Sequence, residues 1–156
     1  MTGSPTHRYR ASCSWEGSTG LGYDRYDRSH RAAARPASAD LQLSADPSFL
    51  GRPERLNPEQ LLLLAASSCQ LLAFLAVAAR ARLDVVAYDD DADAVMPEDD
   101  PPVRLTAIRL RPRITVRAPC TEERVRHLTG VAHRECFIAN SFRGEMTIEP
   151  TVVILP

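Results

Sequence analysis

Four thiols are the most reactive side chains in this chain: Cys13, Cys69, Cys120 and Cys136. A cysteine can act as nucleophile, metal ligand or redox group, and spacing helps to say which. No C-x-x-C pair occurs, so zinc-ribbon and thioredoxin signatures are absent. Cys69 lies in ASSCQLL, where Ser67, Ser68 and Gln70 interrupt an apolar run. Polar groups in a buried helix need partners or a cavity, which gives this cysteine a setting beyond packing. Cys136 lies in AHRECFIANS, where an amphipathic helix breaks. Two thiols carried by different elements could meet and form a reversible disulfide. Burial of each as a small hydrophobe is the plainer alternative. Cys13 falls on a first strand, and Cys120 at a helix start, where the helix N-terminus lowers a thiol pKa. Both are read as bystanders.

The cations are as informative as the thiols. All 19 basic residues are arginine. Without lysine, Schiff-base and P-loop lysine chemistry is excluded. Cys69 sits about three turns into its helix, too far to use the N-terminal dipole, so a thiolate there needs a cation. Arginine is the permanent one available, and a protonated histidine is the lesser choice. His7, His30, His127 and His133 show no metal-ligand spacing, and no GxSxG, HExxH, GxGxxG or P-loop string occurs. No metal is expected. Nineteen basic residues against 20 acidic give a net charge of -1, which favours neither nucleic acid nor an anionic membrane as partner.

The elements that must position these groups follow from pattern. The chain has 156 residues, 44% hydrophobic and 25% charged, the profile of one folded domain. His7 to Trp15 reads as a strand, EGSTGLG as a turn, and Tyr23 to Ala34 as a returning strand, with a short strand near Leu41 to Ser44. Asn57 suits an N-cap and Pro58 the first helical position. From Glu59 the run EQLLLLAASSCQLLAFLAVAARARL, with no Gly or Pro until well past Leu83, reads as an apolar helix of more than six turns. Apolar on almost every face, it reads as a central buried helix that needs more cover than a chain of this size supplies, which points to an oligomer. Leu61 to Ala79 is nearly long enough to span a bilayer, but the polar cluster at Ser67–Gln70 and the flanking strands argue against it. Val85 to Met96 reads as a strand, and Val103 to Arg117 as a long strand with one wet face, interrupted at Pro112. Pro119 to His133 reads as an amphipathic helix capped by Cys120 or Thr121, and Gly144 to Leu155 as a closing β-rich run. The expected fold is α+β, in the order β-β-(β)-α-β-β-α-β, one domain over residues 1–156. The N-terminus has no apolar signal core, so a cytoplasmic location is expected.

NPEQLLLLAASSCQLL resembles the long-helix signature of the OsmC/Ohr family, the osmotically induced and organic-hydroperoxide-resistance proteins. In that pattern Asn-Pro-Glu opens the helix and a reactive cysteine follows ten positions after the glutamate, as Glu59 and Cys69 do here. Cys136 and Ser141 in CFIANS match the family's second cysteine and its serine, and SWEGSTGLG and the last strand also fit. The resemblance implies an intertwined homodimer with the long helices at its centre. It also implies thiol peroxidase activity on organic hydroperoxides, with Cys69 peroxidatic and Cys136 resolving. It further implies an arginine held by Glu59; Arg28 in YDRYDRSHR is the first choice and Arg52 the second. Phe137 departs from the family, where proline commonly follows the second cysteine.

Glu59 and Cys69 stand about 15 Å apart on one straight helix. The glutamate therefore acts through a long arginine or on a partner subunit's cysteine. Leu72, Phe74 and Phe137 are the side chains expected to receive an alkyl chain. No bound cofactor is expected, only an external thiol or dithiol, lipoyl-type reductants included, to reset the disulfide. The alternative is a family member serving as a small-molecule binding or structural dimer with slow thiols.

Overall fold

The computed structural model describes residues 4–156, in two compact units, one ending at Leu61 and one running from Leu62 to Pro156. The first unit holds an antiparallel sheet of three short strands in the order β1 (Ser12–Ser14), β2 (His30–Ala33), β3 (Asp40–Leu43). His30 pairs with Leu43 and Cys13 with Ala32. β1 and β2 are shorter than the sequence pattern suggests, and between them Thr19–Leu21 and the stretch to Tyr26 coil. Gly22 takes a positive φ of 93°, and its carbonyl accepts N–H bonds from Arg25 at 3.1 Å and Tyr26 at 3.3 Å. A second tight turn, Pro47–Phe49, is capped by the Asp46 carboxylate, which accepts from the Ser48 N–H at 2.8 Å. Gly51 closes that loop against the Ala45 backbone, where a Cβ would stand 1.7 Å from a carbonyl oxygen.

The long helix α1 spans Pro58–Arg80. Its start is a reciprocal cap: the Asn57 side chain accepts from the Gln60 N–H at 2.8 Å, and the Gln60 side chain accepts from the Asn57 N–H at 3.0 Å. Its end turns through Arg82 at a positive φ of 55°, with the Leu83 N–H returning to the Ala78 carbonyl. Length and hydropathy would suffice for a membrane span. One face nonetheless forms core, through Ala66, Gln70, Phe74, Val77 and Ala78.

In the second unit, β4 (Val85–Asp90), β7 (Pro112–Arg117) and β9 (Thr151–Leu155) form one sheet, and β5 (Asp93–Val95), β6 (Ala107–Leu110) and β8 (Glu145–Ile148) another. The three strands expected from pattern are each broken in two at corresponding levels: Asp91–Ala92, Arg111 and Glu149–Pro150. Pro112 and Pro150 bring no N–H to the ladder there. The Asp90 carboxylate accepts the Arg111 N–H at 2.8 Å instead. Burial alternates straight through the break, with Ile108, Leu110, Pro112, Ile114 and Val116 inward and arginines outward. The parallel pairs β6·β8 and β7·β9 need a crossover, and α2 (Glu122–Glu135) and α3 (Phe137–Ser141) supply it. Thr121, rather than Cys120, caps α2. Phe74, Val77, Ile114, Val116, Val125 and Ala132 form the main core, each full-sized apolar side chain stabilising by about 1.5–3 kcal/mol.

Candidate functional site

α1 carries Cys69 half-buried on the turn between Ala66 and Gln70, both of which are fully buried. α2 ends at Cys136, and the chain turns at once into α3, so the same residue closes one helix and opens the next. Its sulfur accepts the Ala139 N–H at 3.5 Å. The two thiols are close enough to influence each other's ionisation, and neither is bridged. Burial pushes the Cys136 thiol above its usual range, the neighbouring Cys69 adds to that, and the N–H groups of Ala139 and Ile138 oppose it. Cys136 is therefore a protonated thiol at neutral pH, waiting in a dry site against an accessible one.

The turn around Cys69 is tied to the sheet. The Ser67 hydroxyl donates to the Asp90 carboxylate at 2.5 Å, and the Gln70 amide donates to the Thr129 carbonyl at 3.4 Å. The Ser67 hydroxyl and the Gln70 amide nitrogen thus have partners, on β4 and α2, whereas the Gln70 side-chain oxygen has none. Leu72, one turn beyond Cys69 on the same face, is 64% exposed, and Phe137, beside Cys136, is 80% exposed. Both are open apolar surface. Phe74 is placed differently: it is fully buried, its ring 5.8 Å from that of Tyr88, so it is a core side chain and no wall for a ligand. Cys120 packs against the same core, while Cys13 is exposed on β1.

The charged candidates lie in the first unit. Arg28 stands in the loop before β2, not on the strand, and its guanidinium donates to the carbonyls of Tyr26 at 3.0 Å and Tyr23 at 2.8 Å. It also stacks on both tyrosine rings, at 4.1 and 4.8 Å from their centroids. Among the described residues no carboxylate pairs with it. Arg28 and Glu59 line one pocket of about 410 Å³ with Trp15, Tyr26, His30 and Phe49, but they make no ion pair. Arg52 is engaged elsewhere: it bridges Asp27 at 3.0 Å and donates to the Ser29 hydroxyl. That pairing holds the Asp27 carboxyl well below the usual range. Arg28, not Arg52, is the cation facing an open pocket. The aromatic lining escaped the sequence reading, since Trp15, His30 and Phe49 come from three separate segments.

Solved structures of other proteins share this fold. An OsmC-like protein of unknown function from Vibrio cholerae is 26% identical, with a TM-score of 0.84 over 94% of this chain and 100% of that one. An organic hydroperoxide resistance protein from Elizabethkingia anophelis is 18% identical, with a TM-score of 0.73 over 97% and 99%. One from Legionella pneumophila, also described as OsmC and a predicted redox protein, is 18% identical, with a TM-score of 0.69 over 96% and 98%. No curated protein matches the chain in sequence. The family model for OsmC-like proteins matches residues 51–151, which includes α1, the strands from β4 to β8, α2, α3 and both candidate thiols. The chain belongs to the OsmC-like protein family.

Proposed function

We propose that the protein is a thiol-dependent peroxidase that reduces organic hydroperoxides to alcohols. The observation that carries this reading is the pair of unbridged thiols, Cys69 half-buried and Cys136 fully buried, brought together from two helices. The Cys69 thiolate attacks the distal oxygen of R–O–O–H, the O–O bond breaks, and Cys69 becomes a sulfenic acid. The alkoxide takes up a proton and leaves as the alcohol. Cys136 then attacks the Cys69 sulfur, and the disulfide forms with release of water. An external dithiol or thiol, of the lipoyl or cytoplasmic thiol type, resets the pair in two exchange steps. Open apolar surface at Leu72 and Phe137 suits an alkyl chain better than hydrogen peroxide.

Arg28 is the cation assigned to the thiolate and to the leaving oxygen, with Glu59 as its carboxylate partner. Ten residues of helix keep Glu59 from Cys69 of its own chain, so the assembly assigned is a homodimer. Leu64, Leu72 and Leu75 form an exposed apolar stripe along α1 that a second copy would cover. Names of structural relatives as organic hydroperoxide resistance proteins support the same reading.

The test is turnover of cumene hydroperoxide with a dithiol, followed by mass mapping of all four cysteines. A Cys69→Ser chain should lose turnover entirely, and oxidised wild type should yield a Cys69–Cys136 peptide. Undiminished turnover in Cys69→Ser would end the proposal. If the dimer forms and binds small molecules while Cys69 labels slowly at every pH, a binding protein is the better description.

A further inference from the structure

Among the described residues the second unit buries two polar side chains, Gln70 and Thr129, and they meet across one helix contact. Ala66, Gln70 and Phe74 follow at four-residue intervals along one face of α1, all fully buried. Val125, Thr129, Ala132 and Cys136 form a buried stripe along α2, with Cys136 as its last member. Phe74 of the first stripe shares a core with Val125 and Ala132 of the second. Within this apolar contact the Gln70 amide nitrogen donates to the Thr129 carbonyl at 3.4 Å. The Thr129 hydroxyl turns back to the Val125 carbonyl of its own helix at 2.9 Å. A carbonyl can only accept, so the nitrogen of Gln70 faces it and the side-chain oxygen is left over. That oxygen is buried and has no donor among the described residues. A long bond beside an orphaned acceptor adds little stability, and a methionine of similar volume would fill the space without the unpaired atom.

We infer that Gln70 is a positioning residue for the thiol pair: its bond to the Thr129 carbonyl fixes where α2 sits along α1, and with it how readily Cys69 and Cys136 join. The inference takes its biological sense from the peroxidase reading, but its chemistry needs only the two thiols. Gln70 directly follows Cys69, and Thr129 stands seven residues, or two helical turns, before Cys136 on the same face. Apolar contact has no direction and lets two helices shift by a fraction of a turn, whereas one directed bond between them sets a register. The other polar ties between the helices are Arg80–Glu135 and the bond from Arg124 to the Ala81 carbonyl. Both are exposed and lie at or just past the last residue of α1, more than two turns from Cys69. Gln70 touches no reacting atom and acts only through the backbone of α2.

Gln70→Met tests this in a chain with Cys13 and Cys120 replaced by serine. The pair is equilibrated at pH 6 with a fixed ratio of oxidised to reduced dithiothreitol, and open and closed forms are counted by alkylation and mass. On closing, Cys69 and Cys136 give up two hydrogens, one S–S bond forms, and oxidised dithiothreitol takes both hydrogens as it becomes the dithiol. The Met chain should reach a closed-to-open ratio about fivefold below wild type, the size of one neutral hydrogen bond. The thermal midpoint of its reduced form should stay level or rise. Gln70→Glu is the rescue: burial raises a carboxyl pKa, so at pH 6 the side chain carries a proton and can donate to the Thr129 carbonyl. Its ratio should return to the wild-type value. An unchanged ratio in the Met chain would overturn the inference, as would a Glu chain as low as the Met chain or a wild-type pair that never closes. If the Met chain does not fold, the Glu chain decides alone, by matching wild type or falling below it. In a separate arm with cumene hydroperoxide, absence of a Cys69 sulfenic acid in wild type would end the peroxidase reading. The equilibrium with dithiothreitol would still decide the role of Gln70.

Discussion

The two units divide the candidate chemistry between opposite kinds of environment. In the second, Cys69 and Cys136 sit against a core of fully buried Phe74, Ile114, Val116, Val125 and Ala132. In the first, Arg28 and Glu59 line an open pocket, and the buried residues are few: Leu43, Ser44 and Asn57. Order there comes from hydrogen bonds and ion pairs such as Asp27–Arg52 and Asp40–Arg31, all at least a third exposed. Exposed pairs of this kind contribute little stability. The proposed nucleophile thus lies against the well-buried part of the molecule and the proposed cation where little is buried. A thiol pair that must form a disulfide needs fixed geometry, whereas an arginine that must follow a changing charge benefits from freedom to move.

The sharpest way to break this contrast is to weaken the well-buried side. Phe74→Ala should cost about 3–5 kcal/mol in denaturant unfolding, because its ring fills the space between α1 and β4. A smaller loss would mean that the second unit is looser than its packing indicates. The corresponding change on the sparsely buried side should separate stability from turnover. Arg28→Ala removes two hydrogen bonds to loop carbonyls and two ring contacts, and should leave the unfolding midpoint of the second unit unchanged. Hydroperoxide turnover should nevertheless fall about a hundredfold, the scale of losing one donor aimed at developing charge. Arg52→Ala should leave turnover near wild type. If the two arginine variants exchange these outcomes, the assignment of the cation is wrong.

What could be read from sequence follows the same division. Asn57 and Pro58 announced the start of α1, because capping is local chemistry; the returning bond from Gln60, three residues on, completes it. The alternation from Ile108 to Val116 announced one buried face, and it persists through the break at Arg111. The bends were legible only at Pro112. Asp91–Ala92 contains no breaker; on either side of it Asp90 accepts the Arg111 N–H and Asp93 pairs with the Arg111 guanidinium, at the break between β6 and β7. Phe74 and Leu72 look equivalent in an apolar run, yet one is core and the other surface, since the difference depends on what α1 packs against. Tyr88 in VVAYDDD gave no signal at all: a tyrosine in a strand becomes notable only once its hydroxyl is found buried without a partner. The polar residues beside Cys69 were the one long-range clue, and Asp90 and Thr129 answered it.

Acid should reveal the two units in sequence, and this is the smallest effect expected. His133, on α2, has its pKa lowered from 6.5, first by burial and then by Arg134. Its unfolded form binds the proton more readily, so stability of the second unit begins to fall as pH drops through about 6.5 toward the lower folded value. Asp27 is different: hydrogen bonds from Arg52 and Ser29 hold its pKa below 3.8. Its contribution is complete above 3.8 and fades only as pH falls below that. The Trp15 indole donates to the Asp27 carbonyl at 2.6 Å, so tryptophan fluorescence reports that loop directly. The fluorescence should hold steady while far-ultraviolet helix signal and thermal midpoint first decline, then change at lower pH. In Asp27→Asn the low-pH fluorescence step should disappear, with the earlier transition untouched. A single transition in both signals, moving together in the variant, would mean that the two units are one cooperative body and that the contrast between them has no thermodynamic meaning.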